Sequence, residues 1–146
     1  MRVADCMTSN VRTIRPQDPL RLAAKIMLEN DIGALPVADG ERLVGMLTDR
    51  DIAVRAVAQG LGPNAQVQDA MTDEVLYCFG DQDVDQVAEN MSDIQVRRLP
   101  VVDRNKRLIG IISTGDLALR TGAETCALAM SGVAAPGGQH SQSYVE

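Results

Sequence analysis

The stretch "RLVGMLTDRDIAVR" at Arg42–Arg55 returns as "RLIGIISTGDLALR" at Arg107–Arg120. Each copy carries an apolar run around a glycine, then Ser or Thr, two variable residues, Asp and an apolar residue (Gly45–Ile52 and Gly110–Leu117). Working outward, "ALPVAD" at Ala34–Asp39 matches "RLPVVD" at Arg98–Asp103, and "VADCMT" at Val3–Thr8 matches "VQDAMT" at Val67–Thr72. The offset is 64 up to Asp39 and 65 after it, so the second copy has one extra residue in its "DRNKR" turn. An internal repeat therefore organises nearly the whole chain, Val3–Arg55 and Val67–Arg120, and any fold must treat both copies alike.

Each copy reads β-α-β-β-α. A Met-Thr segment leads into a short strand, Val11–Ile14 or Val75–Cys78. A helix follows, with Asp18 as N-cap and Pro19 at the first helical position in the first copy. Its apolar stripe is Leu20, Ala23, Ala24, Met27 and Leu28, and in the second copy Val84, Val87, Ala88 and Met91. Two strands come next, "ALPVA" with "LVGML" and "RRLPVV" with "LIGII". Thr48 and Ser113 then open a second helix. The strands are continuous enough in apolar character to be covered on both faces. One copy alone is too small to bury much apolar surface. The expected fold is thus α+β: two repeats packed sheet to sheet with pseudo-two-fold symmetry, at residues 3–58 and 67–122, joined by a linker at 59–66. Residues 123–146 are expected to give a short helix over Ala123–Ser131 and a disordered tail from Gly132.

Composition narrows the function. With 14 basic and 20 acidic residues, the net charge of −6 argues against general nucleic-acid binding. Aromatics make up only 2%, too few for base stacking, so the core is aliphatic. No apolar run reaches the roughly 18–20 residues that span a bilayer, and the polar N-terminus lacks a signal-peptide core. A cytoplasmic protein is expected. The three cysteines, Cys6, Cys78 and Cys126, form no close pair, so neither a disulfide framework nor a zinc site is indicated. Cys78 is expected buried and inert, while Cys6 and Cys126 are candidates for exposure.

Two tandem units of Leu-Pro-Val-x-Asp followed by the Gly-to-Asp motif resemble a pair of CBS domains, a Bateman module, of the small stand-alone bacterial type. The residues that carry this are Leu35–Asp39 with Gly45–Ile52, and Leu99–Asp103 with Gly110–Leu117. The resemblance implies a regulatory module, not an enzyme. It implies binding of an adenosine-containing ligand (AMP, ADP, ATP or S-adenosylmethionine) in clefts between the repeats, homodimerisation, and signalling to a separate protein partner. No cofactor is required by it, and no metal, membrane or nucleic acid. It assigns Asp51 and Asp116 to ribose hydroxyls and Thr48 and Ser113 to the phosphate side. Arg50, Thr114, Arg97 and Arg98 are the polar and basic candidates beside them. Ile14, Ile32, Ala34 and Pro36 in the first copy, and Cys78, Val96, Arg98 and Pro100 in the second, would hold the adenine. The acidic Asp49 of the first copy favours the Asp116 site for a nucleotide.

Blander readings stand beside these. Ser/Thr-x-x-Asp ahead of an apolar helix is also a capping box, so Thr48–Asp51 and Ser113–Asp116 serve as caps with or without a ligand. Arg97 and Arg98 also suit an ordinary solvated strand end. The alternative function is a ligand-free CBS interaction or stress-related scaffold protein, and a thiol-dependent enzyme on Cys6 or Cys126 is the third. "GLGPNA" at Gly60–Ala65 follows no strand, so it is linker and not a dinucleotide fingerprint. "DQDVDQ" at Asp81–Gln86 lacks the later ligands of a calcium loop and reads as an acidic helix start. His140, the one histidine, falls in the tail.

Overall fold

The computed structural model describes residues 1–133. They form two compact units: Val11–Val75 is one, and Met1–Asn10 with the chain from Leu76 onward is the other. The lead segment of the first sequence repeat, Val3–Thr8, therefore belongs to the unit built on the second repeat's sheet. The segment Val67–Thr72 belongs to the unit built on the first.

In the Val11–Val75 unit, α2 (Leu20–Asn30) is followed by the antiparallel pair β1 (Ala34–Asp39) and β2 (Arg42–Thr48). A short helix α1 (Val3–Cys6) lies in the other unit. After β2 the chain turns into α3 (Asp49–Asp51), which widens into a π-helical turn over Ile52–Ala56 and tightens into a 3-10 turn over Val57–Gln59. The core is aliphatic, as the composition requires: Ile14, Leu20, Ala23, Ile26, Met27, Leu35, Val37, Leu47, Ala56, Val67 and Ala70 are buried. The second unit holds β3 (Cys78–Phe79), α4 (Val84–Ile94), β4 (Arg98–Val102), β5 (Leu108–Ser113), α5 (Thr114–Arg120) and α6 (Ala123–Val133). Its strands run β3-β4-β5, parallel then antiparallel. Val3, Cys6, Val84, Val87, Ala88, Met91, Leu99, Val101, Ile112 and Leu117 form its core.

The Met-Thr segments close each sheet on its open edge. Thr8 and Ile111 exchange both backbone hydrogen bonds at 2.9 Å, and so do Thr72 and Met46. The repeated glycines make this approach possible. A Cβ at Gly110 would lie 2.6 Å from Met7 Sδ and 2.7 Å from the Thr8 carbonyl oxygen. At Gly45 it would lie 2.7 Å from Met71 Sδ and 3.0 Å from the Thr72 oxygen. The repeated prolines fit the same plan. Pro36 sits opposite Met46 and Pro100 opposite Ile111, whose own N–H groups are turned to the lead segments, so the missing proline N–H breaks no bond across that strand pair. Arginines that end the repeat hold the segments in place. The Arg120 guanidinium donates to the Met7 oxygen at 3.0 Å and to that of Cys6 at 3.2 Å, and Arg55 donates to the Met71 oxygen at 3.4 Å.

Several expectations are corrected. Val11–Ile14 is not a strand: only Ile14 pairs, in a single parallel bridge to Val37, because the segment has one neighbour for two bonds. The Val75–Cys78 strand is displaced to Cys78–Phe79. Asp18 does not cap α2. Its carboxylate turns back to the Arg15 N–H at 3.0 Å and the Arg15 guanidinium at 2.9 Å, and Pro19 takes the N-cap position. The orphan N–H groups of Leu20 and Arg21 are satisfied by the linker carbonyls of Ala65 and Pro63, at 2.8 and 3.0 Å. Ala24 and Leu28 lie off the buried face of α2, which is Leu20, Ala23, Ile26 and Met27, and Leu28 is 82% exposed. The second-copy stripe Val84, Val87, Ala88 and Met91 is buried as expected. Helix α6 continues through Gly132 and Val133, which the tail was expected to include, because Gly132 packs against Ser92 of α4 and its carbonyl accepts from Gln95. The rest of the expected tail, His140 included, lies outside the described residues.

Two outcomes follow from this packing. Gly110→Ala is expected to destabilise the fold by about 1–3 kcal/mol in urea unfolding, since the added methyl meets backbone. Asp18→Asn is expected to cost about 1–2 kcal/mol near neutral pH. The Arg15 side chain, as hydrogen-bond donor, holds the Asp18 carboxyl below the usual carboxylate range. Its stabilisation is present above the unfolded value near 4 and is lost as pH falls through the lower folded value. The wild-type and Asp18→Asn unfolding curves should therefore converge in acid.

Candidate functional site

Each unit presents the same constellation where its last strand passes into a helix. In the Val11–Val75 unit, Ala34 is paired with Thr48 across β1 and β2, and the Gly33 carbonyl accepts the Asp49 N–H at 3.0 Å. This fixes the corner. Thr48 Oγ1 accepts the Asp51 N–H at 3.0 Å, and Asp51 Oδ2 accepts the Thr48 N–H at 3.0 Å. The capping box is thus formed, and an Asp in place of the longer Glu keeps the carboxylate tight against the strand end. Ile14 lies beside the strand: its N–H reaches the Pro36 oxygen at 3.1 Å, and its carbonyl accepts from Ala38 at 2.9 Å. Thr48 and Asp51 are half-buried, Ile14 and Pro36 buried, Ala34 half-buried and Arg50 exposed. Ile32 stands apart. It follows the left-handed Asp31 that ends α2, donates to the Met27 oxygen at 3.0 Å, and is exposed. Asp49 folds onto its own helix start, accepting the Arg50 N–H at 2.8 Å.

In the other unit Arg98 is paired with Ser113, and the Arg97 carbonyl accepts the Thr114 N–H at 2.9 Å. Ser113 Oγ accepts the Asp116 N–H at 3.1 Å, and Asp116 Oδ2 accepts from the Ser113 N–H at 3.0 Å and from its hydroxyl at 3.1 Å. Cys78 and Pro100 are buried side by side, with the thiol 3.8 Å from the Pro100 oxygen. Val96 packs against this unit's core. Arg97 is exposed, whereas Arg98 and Thr114 are half-buried.

Two residues at this corner escaped the sequence reading. Thr8 donates its hydroxyl to Asp116 Oδ1 at 3.2 Å. Arg55 stands 3.8 Å from Asp51 Oδ1, one helical turn along. Both recur at equivalent places in the repeat, as Thr72 and Arg120, and that recurrence was the available signal.

All three cysteines are free thiols. Burial pushes the Cys78 thiol up to about 12. Cys6 is fully buried, against the expectation of exposure, because α1 turns it into the core; burial and the nearby Asp5 raise its thiol. Cys126 is half-buried. Among the described residues no group of three or more His, Cys, Asp or Glu could hold a metal ion, and no helix among them is long and apolar enough to cross a membrane.

Comparison with known proteins agrees with this geometry. The chain is 40% identical over 117 residues to the CBS domain-containing protein YhcV of Bacillus subtilis, covering 80% of this chain and 83% of that one. It is similar to the CBS domain pair of MJ0100 solved in complex with 5-methylthioadenosine and S-adenosyl-L-methionine, at 32% identity and a TM-score of 0.73, over 82% of this chain and 94% of that one. It is also similar to CBSX2 solved in complex with AMP, at 28% identity and a TM-score of 0.71, over 81% and 93% of the two chains. The pattern of the CBS domain matches twice, at residues 3–57 and 67–120, and the chain belongs to the CBS domain family as a tandem pair.

Proposed function

We propose that this protein is a regulatory module that binds an adenosine-containing ligand, AMP, ADP, ATP or S-adenosylmethionine, and passes its occupancy to a separate protein partner. One observation carries the reading. The carboxylates of Asp51 and Asp116 are each anchored through Oδ2 by a capping box, so their position is fixed before any ligand arrives while Oδ1 is not spent on the cap. An anchored carboxylate with acceptor capacity to spare suits ribose hydroxyls. MJ0100 and CBSX2, solved with adenosine-containing molecules, support the ligand class.

In this reading Thr48, Arg50, Ser113, Thr114, Arg97 and Arg98 face the polar part of the ligand. Ile14, Ile32, Ala34 and Pro36, or Cys78, Val96, Arg98 and Pro100, take the adenine. Binding acts by differential affinity: the ligand stabilises one arrangement of the protein over another, and the partner reads the difference. The protein works as a homodimer in the cytoplasm and catalyses no reaction.

The ligand-free scaffold is the second reading. It is favoured by the capping boxes themselves, which give Asp51 and Asp116 a structural reason to exist without a ligand.

A melting-temperature screen separates the two. A ligand present at 100 times its dissociation constant stabilises the native state by about 2.7 kcal/mol, which moves the midpoint of a chain this size by roughly 5–10 °C. The regulatory reading predicts such a shift with at least one of the four compounds and its loss in Asp51→Ala combined with Asp116→Ala. No shift with any of them selects the scaffold.

A further inference from the structure

The two sites are not equivalent as acceptors. A carboxylate offers about four acceptor positions, two on each oxygen. Asp116 has committed three: Oδ2 takes the Ser113 N–H and hydroxyl, and Oδ1 takes the Thr8 hydroxyl at 3.2 Å. One position is left on Oδ1. Asp51 has committed Oδ2 to the Thr48 N–H, and the charged group nearest its Oδ1, Arg55, stands at 3.8 Å, beyond a hydrogen bond. Among the described residues Asp51 Oδ1 accepts no hydrogen bond, its one charged neighbour being the Arg55 ion pair at 3.8 Å. The difference lies in one hydroxyl: Thr8, brought to the Asp116 corner by its pairing with Ile111, donates to Asp116, whereas the equivalent Thr72, paired with Met46, makes no hydrogen bond to Asp51 among the described residues.

We propose that Thr8 is a specificity-determining residue: by filling one acceptor position on Asp116, it makes that site blind to the second hydroxyl of a ribose, while Asp51 reads the full 2′,3′-diol. The inference rests on the adenosine-binding reading above. It reverses, for the ribose, the preference for the Asp116 site that Asp49 suggests from sequence. The Asp116 site takes one hydroxyl and accepts ribose and deoxyribose alike. The Asp51 site binds a sugar that lacks either hydroxyl more weakly, because a carboxylate lone pair loses its partner.

The test is a titration of the ¹⁵N-labelled full chain with AMP and with 2′-deoxy-AMP, following the Arg50 amide for one site and the Thr114 amide for the other. In the wild type, AMP should bind about five- to tenfold tighter than 2′-deoxy-AMP at the Asp51 site and equally at the Asp116 site. Thr8→Val removes the hydroxyl but keeps the shape and the backbone bonds, which the Ile111 amide resonance verifies. It should give the Asp116 site the same five- to tenfold preference, and Thr8→Ser should restore the wild-type behaviour. Binding of AMP with a Thr8→Val profile identical to wild type, or a wild-type Asp116 site that already prefers the diol, overturns the inference and leaves the regulatory reading standing. Binding of neither nucleotide by any variant overturns both.

Discussion

Everything at the candidate sites depends on a close backbone pairing: the two hydrogen bonds that Thr8 exchanges with Ile111, and the two that Thr72 exchanges with Met46. For the lead segment to lie that near, the strand beside it must carry glycine, which explains Gly45 and Gly110. For the inner strand to stand a proline, its partner residue must bond elsewhere, which explains Pro36 and Pro100. The methionine before each threonine then closes over the glycine, and the arginine at the end of each repeat ties down the segment's carbonyls. Five repeated residue types thus answer to one geometric requirement.

That pairing also sets the chemistry. Strands held at both edges end at a fixed point, and the Ser/Thr-x-x-Asp sequence turns that point into a helix start with a locked carboxylate. A locked carboxylate loses little conformational entropy on binding, so the free energy of a hydroxyl contact is not spent on ordering it. The residues that cap each helix are the same ones that the proposed function assigns to the ligand. A capping role is therefore compatible with the proposed binding role, since the cap fixes the carboxylate that the ligand would meet.

The sequence disclosed a great deal because it says everything twice. The strands expected at "ALPVA", "LVGML", "RRLPVV" and "LIGII", the second helices and the capping boxes were all legible to within a residue or two at each end, each from a pattern that recurs at a matched offset. What recurrence cannot tell is which sheet a lead segment joins, since both copies carry the same Met-Thr pattern and the same receiving glycine. Its exchange between units was invisible for that reason, and with it the contact between Thr8 and Asp116. Local competition hid other features. Asp18 has the right residue type for a cap, but Arg15 offers a charge and an N–H within one turn and wins the carboxylate. Leu28 is apolar by composition yet falls outside the arc of α2 that meets the sheet. Cys6 looked exposed in a polar N-terminus because nothing local signals that α1 packs against the core.

Native-state amide hydrogen exchange tests the central claim most directly, because it reads the pairing without reference to any ligand. If the lead segments are structural members of the sheets, the amides of Thr8, Ile111, Thr72 and Met46 exchange as slowly as inner-strand amides such as those of Leu99 and Ile112. Exchange of the Thr8 and Thr72 amides at the rate of exposed loop positions, with Leu99 and Ile112 still protected, would contradict the account.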